Sequence, residues 1–121
     1  MDWVREAYAA FNRRDWDRLA EFLAPDIDFR TTVEATQGRE GVEAWVRQAD
    51  ELMDEFHIEV EDTVEAGDRV VVLVHETARA KGSGLDMDMR IAHVWTLREG
   101  RAVALEAFTD QAEALAAVGA G

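Results

Sequence analysis

The sequence predicts an α+β fold built on one strongly twisted, mostly antiparallel sheet, and three observations carry that prediction. Up to Asp54 the apolar residues recur at helical spacing in three stretches, interrupted by a single short strand pattern. From Phe56 to Thr109 the period switches to two, through four successive stretches joined by short turns. Asp110-Gln111-Ala112-Glu113 then offers an N-cap and a capping box for a last helix, 110–118. At 121 residues the chain is expected to be one domain, 1–121, able to bury a core without metal or disulfide staples.

Asp2 is placed to cap a first helix whose buried stripe is Trp3, Val4, Ala7, Tyr8 and Phe11. Asp15 reads as the N-cap of a second, short helix with Trp16, Leu19, Ala20 and Leu23 on one face. Ala24-Pro25 ends it, because the residue before proline avoids helical angles. Residues 26–33 alternate as a short half-buried strand, with Ile27, Phe29, Thr31 and Val33 on one side. Thr36-Gln37-Gly38 reads as a loop, and the longest helix runs from Arg39 to about Asp54 on Val42, Trp45, Val46, Ala49, Leu52 and Met53.

Phe56, Ile58 and Val60 then alternate with His57, Glu59 and Glu61, which gives a strand one wet face. Ala66-Gly67-Asp68 turns the chain into a strand from Arg69 to Ala80 that is apolar on both faces at Val70 to Val74, so it must be covered twice. After the flexible hairpin Lys81-Gly82-Ser83-Gly84 comes the longest strand pattern, Leu85 to Leu97. Its odd positions (Leu85, Met87, Met89, Ile91, His93, Trp95 and Leu97) make an apolar stripe holding one imidazole. Arg98-Glu99-Gly100 is a tight reversal, with Gly100 suited to a left-handed position beside a bulge, and Arg101 to Thr109 returns.

The formal net charge of −13 repels a phosphate backbone and an anionic membrane surface, so neither nucleic acid nor membrane is an expected partner. With no cysteine there is no thiolate nucleophile, zinc–thiolate site or disulfide. Two inward histidines without a predicted inward carboxylate make a poor metal set, and no cofactor is expected. The opening Met1-Asp2-Trp3-Val4-Arg5-Glu6 lacks a basic segment followed by an apolar core, and no run spans a bilayer. A soluble cytoplasmic protein is the expectation.

The order of elements, together with Tyr8-Ala9-Ala10-Phe11-Asn12-Arg13-Arg14-Asp15-Trp16-Asp17, Leu23-Ala24-Pro25-Asp26, Gly38-Arg39-Glu40-Gly41-Val42, 92–101 and 108–115, resembles the SnoaL-like polyketide cyclases of the nuclear transport factor 2 and ketosteroid isomerase superfamily. These are turn, cap and core residues, so the resemblance marks fold rather than chemistry. It implies a cone: three N-terminal helices and a short C-terminal helix pack with a curved sheet and enclose an apolar pocket. It also departs from known chemistry. The general-base aspartate of ketosteroid isomerase falls near Thr31, its oxyanion aspartate near Ala92, and its tyrosine near Ala7, one place before Tyr8. In the epoxide-hydrolase branch an arginine matches Arg69, but the two carboxylates fall on Val71 and Ala107.

Taking the odd stripe as inward, Val71, Leu73, His75, Thr77 and Arg79 are expected to point the same way, placing His75 beside His93 on the cavity wall; a two-residue turn without a bulge at Gly100 would instead put Ala92, Val94 and Thr96 opposite Val103 and Leu105. Either imidazole suits proton transfer near neutral pH; the alternative for each is a buried, neutral, hydrogen-bonded structural role. Burial of His93 should lower its pKa, and no neighbouring carboxylate is visible to oppose that. Tyr8 offers a phenol to a carbonyl oxygen, Thr31 a hydroxyl, and Trp45, Trp95, Met89 and Leu105 an apolar wall for a small ligand. The expected function is acid–base isomerase or cyclase chemistry on an apolar carbonyl compound; the alternative is a non-catalytic binding or dimerising module. A homodimer is expected through the convex face, on Val70, Val72, Val74, Ala92, Val94, Ala102, Ala104 and Phe108, rimmed by Glu76, Glu106 and Arg90.

Overall fold

The structure, a computed structural model, describes residues 2–32 and 34–119, with the backbone alone of Asp2; the expected cap by Asp2 and the expected strand end at Val33 lie outside the described residues. In chain order the elements are α1 (Asp2–Asn12), α2 (Trp16–Ala20), β1 (Leu23–Arg30), β2 (Ala35–Gln37), α3 (Arg39–Leu52), β3 (Met53–Ala66), β4 (Arg69–Ala80), β5 (Asp86–Arg98), β6 (Arg101–Phe108) and α4 (Gln111–Ala117). The α+β plan is as expected. The expected loop at Thr36 instead forms the short strand β2 against β1, and the first long strand begins earlier, at Leu23, through Pro25. One sheet results, in the order β2-β1-β6-β5-β4-β3, antiparallel except where β1 runs parallel to β6. Among the described residues no helix is long and apolar enough to cross a membrane.

The caps read from the sequence form. Asp15 accepts a hydrogen bond from the Arg18 amide, and Asp110 accepts from those of Ala112 and Glu113. Three polar side chains then fasten the helices to the sheet. Asn12 donates from Nδ2 to the Ile58 carbonyl at 2.8 Å and accepts the Ile58 amide on Oδ1 at 2.9 Å, so a side chain stands in for a strand along the edge of β3. Arg14 sits in a left-handed conformation (φ 58°), which turns its guanidinium toward Asp50 of α3 and the carbonyls of Phe11 and Phe56. Arg39 donates from Nε and Nη2 to the Leu23 carbonyl. Helices α1 and α3 are thereby held over one face of the sheet.

Register decides which face each side chain takes. Arg79 lies opposite Asp86 and Val70 opposite Trp95, so even residues of β4 share a face with odd residues of β5. Val70, Val72 and Val74 are therefore buried beneath the helices, and Val71 and Leu73 lie on the other face. This corrects the expectation that Val71, Leu73 and His75 point into the cone, and it removes Val70, Val72 and Val74 from the convex patch. Ala102 is also buried on the inner side. The convex face keeps Ala92, Val94 and Phe108, and α4 packs over them with Ala114, Leu115 and Val118. The apolar patch expected to drive dimerisation is thus smaller and largely covered within one chain.

Between β5 and β6 the turn at Glu99-Gly100 holds two residues, both left-handed (φ 52° and 80°), the pairing that matches strand twist. A shift of register follows, with Leu97 opposite Ala102 but Thr96 opposite Ala104, so Val103 is extra. That bulge restores His93 and Trp95 to the same face as Ala107 and Leu105. Asn12→Ala strips both hydrogen bonds from Ile58. It is expected to cost about 2 kcal/mol of unfolding free energy in urea titration; an unchanged midpoint would count against the clamp.

Candidate active site

The concave face of the sheet and helices α1 and α3 enclose a cavity of about 230 Å³, open at one end. Its walls are apolar: Phe11 and Ala7 from α1, Val42, Trp45 and Val46 from α3, and Ile58, Ile91, Trp95 and Leu105 from the sheet. Thr31, Thr32, Thr109 and the 40%-exposed Met89 also line it and lie toward solvent. An engineered apolar cavity of roughly 150 Å³ accepts benzene, so this space suits a molecule of one or two rings.

A short polar chain crosses this apolar interior. The Trp95 indole Nε1 donates to the Tyr8 hydroxyl at 3.0 Å, and the Tyr8 oxygen lies 2.6 Å from His93 Nδ1. On the far side of the ring, His93 Nε2 lies 3.7 Å from Glu76 Oε1. An indole N–H only donates, so the phenol oxygen accepts there and its own proton is free for Nδ1. With Nδ1 accepting, the neutral imidazole carries its hydrogen on Nε2, facing the carboxyl of Glu76. The Tyr8 and His93 rings lie 3° from parallel with centroids 5.8 Å apart, which fits this in-plane bond.

Burial sets the charge state of each group. Desolvation raises the Tyr8 phenol well above its ordinary value, and the Trp95 hydrogen bond opposes this only in part, so Tyr8 stays a donor. Desolvation lowers His93 to about 4, as expected for an imidazole in an apolar cone, and keeps it neutral at physiological pH. The carboxyl of Glu76 is pushed up to about 7 for the same reason. A carboxyl poised there exchanges its proton readily at neutral pH.

Of the eight residues expected at the site, seven line the cavity: His93, Tyr8, Thr31, Trp45, Trp95, Met89 and Leu105. His75 does not. It projects from the opposite face of β4, where its Nε2 donates to Asp88 Oδ1 at 2.6 Å, and this corrects its placement beside His93. Its place is taken by the next residue, Glu76, which corrects the expectation of Glu76 on the convex rim. The missing signal is the hairpin: six residues separate the paired Arg79 and Asp86, and an even number between partners reverses parity from one strand to the next. Arg69 also leaves the site, donating from Nη1 to the Ala117 carbonyl at 3.4 Å. Among the described residues no group of three or more His, Cys, Asp or Glu side chains is arranged to hold a metal ion.

The two shifted groups act oppositely on stability. Glu76 has a folded pKa above its ordinary 4.5, so the fold favours its neutral form, and the associated stability is lost as pH rises from about 4.5 through about 7. His93 is lowered from 6.5 to about 4, so the fold again favours the neutral form, and stability is lost as pH falls through that window. Glu76→Gln mimics the neutral carboxyl. The variant should melt several degrees above the parent at pH 8 and close to it at pH 5; a difference independent of pH would contradict a buried, titrating carboxyl.

Comparison with known proteins places this cavity in a family. The SnoaL-like domain model matches residues 4–105. A nuclear transport factor 2-like protein of unknown function from Burkholderia pseudomallei is 30% identical, with 96% of this chain and 94% of that chain covered at a TM-score of 0.81. A second such protein, from Burkholderia thailandensis, is 25% identical over 94% of this chain and 92% of that one, at 0.81. A protein described as a SnoaL-like polyketide cyclase, from a Jannaschia species, is 23% identical over 96% and 91%, at 0.74, which speaks for fold alone. Among curated proteins there is no match. The cone, its cavity and the family model agree: this chain belongs to the SnoaL-like domain family.

Proposed function

We propose that the protein is an acid–base enzyme that enolises a small, uncharged, apolar carbonyl compound, leading to isomerisation or ring closure. The observation that carries this reading is the approach of Glu76 Oε1 to His93 Nε2 at 3.7 Å inside an otherwise apolar cavity. Groups that close address neighbouring atoms of one substrate. Glu76, as carboxylate, takes the proton from the carbon beside the carbonyl. The His93 Nε2–H donates to the carbonyl oxygen and stabilises the charge that grows there. Tyr8 holds the imidazole in that tautomer, and Trp95 holds Tyr8. Where the carbonyl compound carries a β,γ double bond, the enolate is a dienolate and the proton on Glu76 returns to its γ-carbon, which is isomerisation. Alternatively the enolate carbon attacks an electrophilic carbon of the same molecule and the proton goes to the new alkoxide, which is cyclisation.

Thr31 and Met89 meet the substrate near the opening, while Trp45 and Leu105 pack its skeleton. The division of roles differs from the sequence expectation, in which an imidazole moved the proton. Here the imidazole is the donor and the carboxyl the base, because burial lowers one pKa and raises the other. A homodimer belongs to this reading as well, through what α4 leaves uncovered on the convex face, with half-buried Leu73 and Val64 at its centre.

The test needs no knowledge of the natural substrate. In deuterium oxide, NMR follows uptake of deuterium at the α-carbon of 2-tetralone, a bicyclic enolisable ketone of suitable size. Exchange above the buffer rate is expected, rising with pH through about 7 as Glu76 ionises. Glu76→Gln should lower it by about a hundredfold or more. Binding of the ketone without exchange would point to the non-catalytic module.

A further inference from the structure

Among the described residues that line the cavity, Glu76 is the one acidic side chain, and none is a lysine or arginine. From β3 it meets Ile58 across the strand pair, and from β5 it meets Met89 and His93. Helix α1 brings Tyr8, which can only donate or accept a hydrogen bond while its phenol stays neutral, and α3 brings only Val42, Trp45 and Val46. Among the described residues, the ionised carboxyl thus has no cation beside it. Elsewhere the protein pairs its acids freely, as Asp50 with Arg14 and Glu61 with Arg90. A lone carboxylate in an apolar cavity is costly, and either a proton or a cationic guest relieves it. The surrounding walls carry the rings of Tyr8, Phe11, Phe29, Trp45 and Trp95, surfaces that attract cations and pack against hydrocarbon. The formal charge of −13 also draws cations to the molecule and turns anions away.

We propose that the cavity binds small lipophilic amines as their ammonium ions, with Glu76 as the counter-ion. It shares its carboxyl with the acid–base reading but requires no turnover. Such a guest occupies the position that the carbonyl substrate would take and holds Glu76 ionised, so it acts as a competitive inhibitor of any enolisation there. Because only the carboxylate pairs with it, the guest displaces the Glu76 proton on binding near neutral pH, and its affinity rises with pH.

Isothermal titration calorimetry with the protonated N,N-dimethylbenzylamine, beside its uncharged carbon isostere isobutylbenzene, tests this. For the parent protein the ammonium affinity should rise about tenfold between pH 6 and pH 8, since a carboxyl at about 7 passes from mostly neutral to mostly ionised. The affinity of the isostere should not rise over that range. At pH 6.5, titration in buffers of different ionisation enthalpy should report proton release with the amine only. In Glu76→Gln the ammonium should lose at least tenfold in affinity while the isostere stays within about twofold. Ammonium binding that is flat with pH and unchanged in the variant would overturn the proposal, as would equal affinity for phenylacetate. The parent's own pH dependence decides the matter even if the variant fails to fold. Deuterium exchange into 2-tetralone is a separate readout, so loss of the amine site leaves the acid–base reading standing, and the reverse also holds.

Discussion

The chemistry of the cavity depends on one register, the pairing of β4 with β5. Val70 opposite Trp95 fixes Val72 opposite His93 and Glu76 opposite Met89, one pair after another along the ladder. Successive residues alternate faces, so a slip by one residue would exchange every inward side chain of β4 for its neighbour. Glu76 would leave the cavity, His75 would enter it, and the three buried valines would be replaced by Val71, Leu73 and an imidazole. The observed register buries three branched aliphatics and one carboxyl. Burial of Val70, Val72 and Val74 supplies the favourable term, roughly 1.5–3 kcal/mol each, that lets the strand carry a carboxyl into an apolar interior.

That tolerance explains how one end of the polar chain differs from the other. Trp95 and Tyr8 are satisfied by direct hydrogen bonds at 3.0 and 2.6 Å and sit within aromatic packing, Trp95 edge-on to both Trp3 and Tyr8. Glu76 and His93 at 3.7 Å are beyond a direct hydrogen bond. The chain is therefore rigid where it only positions and open where it meets the cavity. A group left incompletely satisfied beside an apolar space is where a ligand gains most by supplying a partner.

Much of this was legible in residue order. Helical spacing at Val4, Ala7, Tyr8 and Phe11, the caps Asp15 and Asp110, and the alternation through Met89, Ile91, His93 and Trp95 each follow from local geometry, and each reappears with its expected face. What escaped was non-local. Val70 to Val74 is apolar on both faces, so its pattern is silent about which side looks inward, and only the length of the 80–85 connection decides it. The bulge expected beside Gly100 falls at Val103, and it is what brings Leu105 and Ala107 to the face of Trp95 and His93. The match of Arg69 to a catalytic arginine failed for a different reason, since its guanidinium is drawn to the carbonyl end of α4, packed on the convex face.

The most direct measurement of the account is the ring nitrogen spectrum of His93, by ¹⁵N NMR of selectively labelled protein between pH 8 and pH 5. The donor chain from Trp95 through Tyr8 predicts a neutral ring with hydrogen on Nε2 and a bare Nδ1 throughout that range, and a shift of that balance in Trp95→Phe or Tyr8→Phe. A rapidly averaging pair of tautomers that titrates near 6.5, unchanged by either substitution, would contradict it.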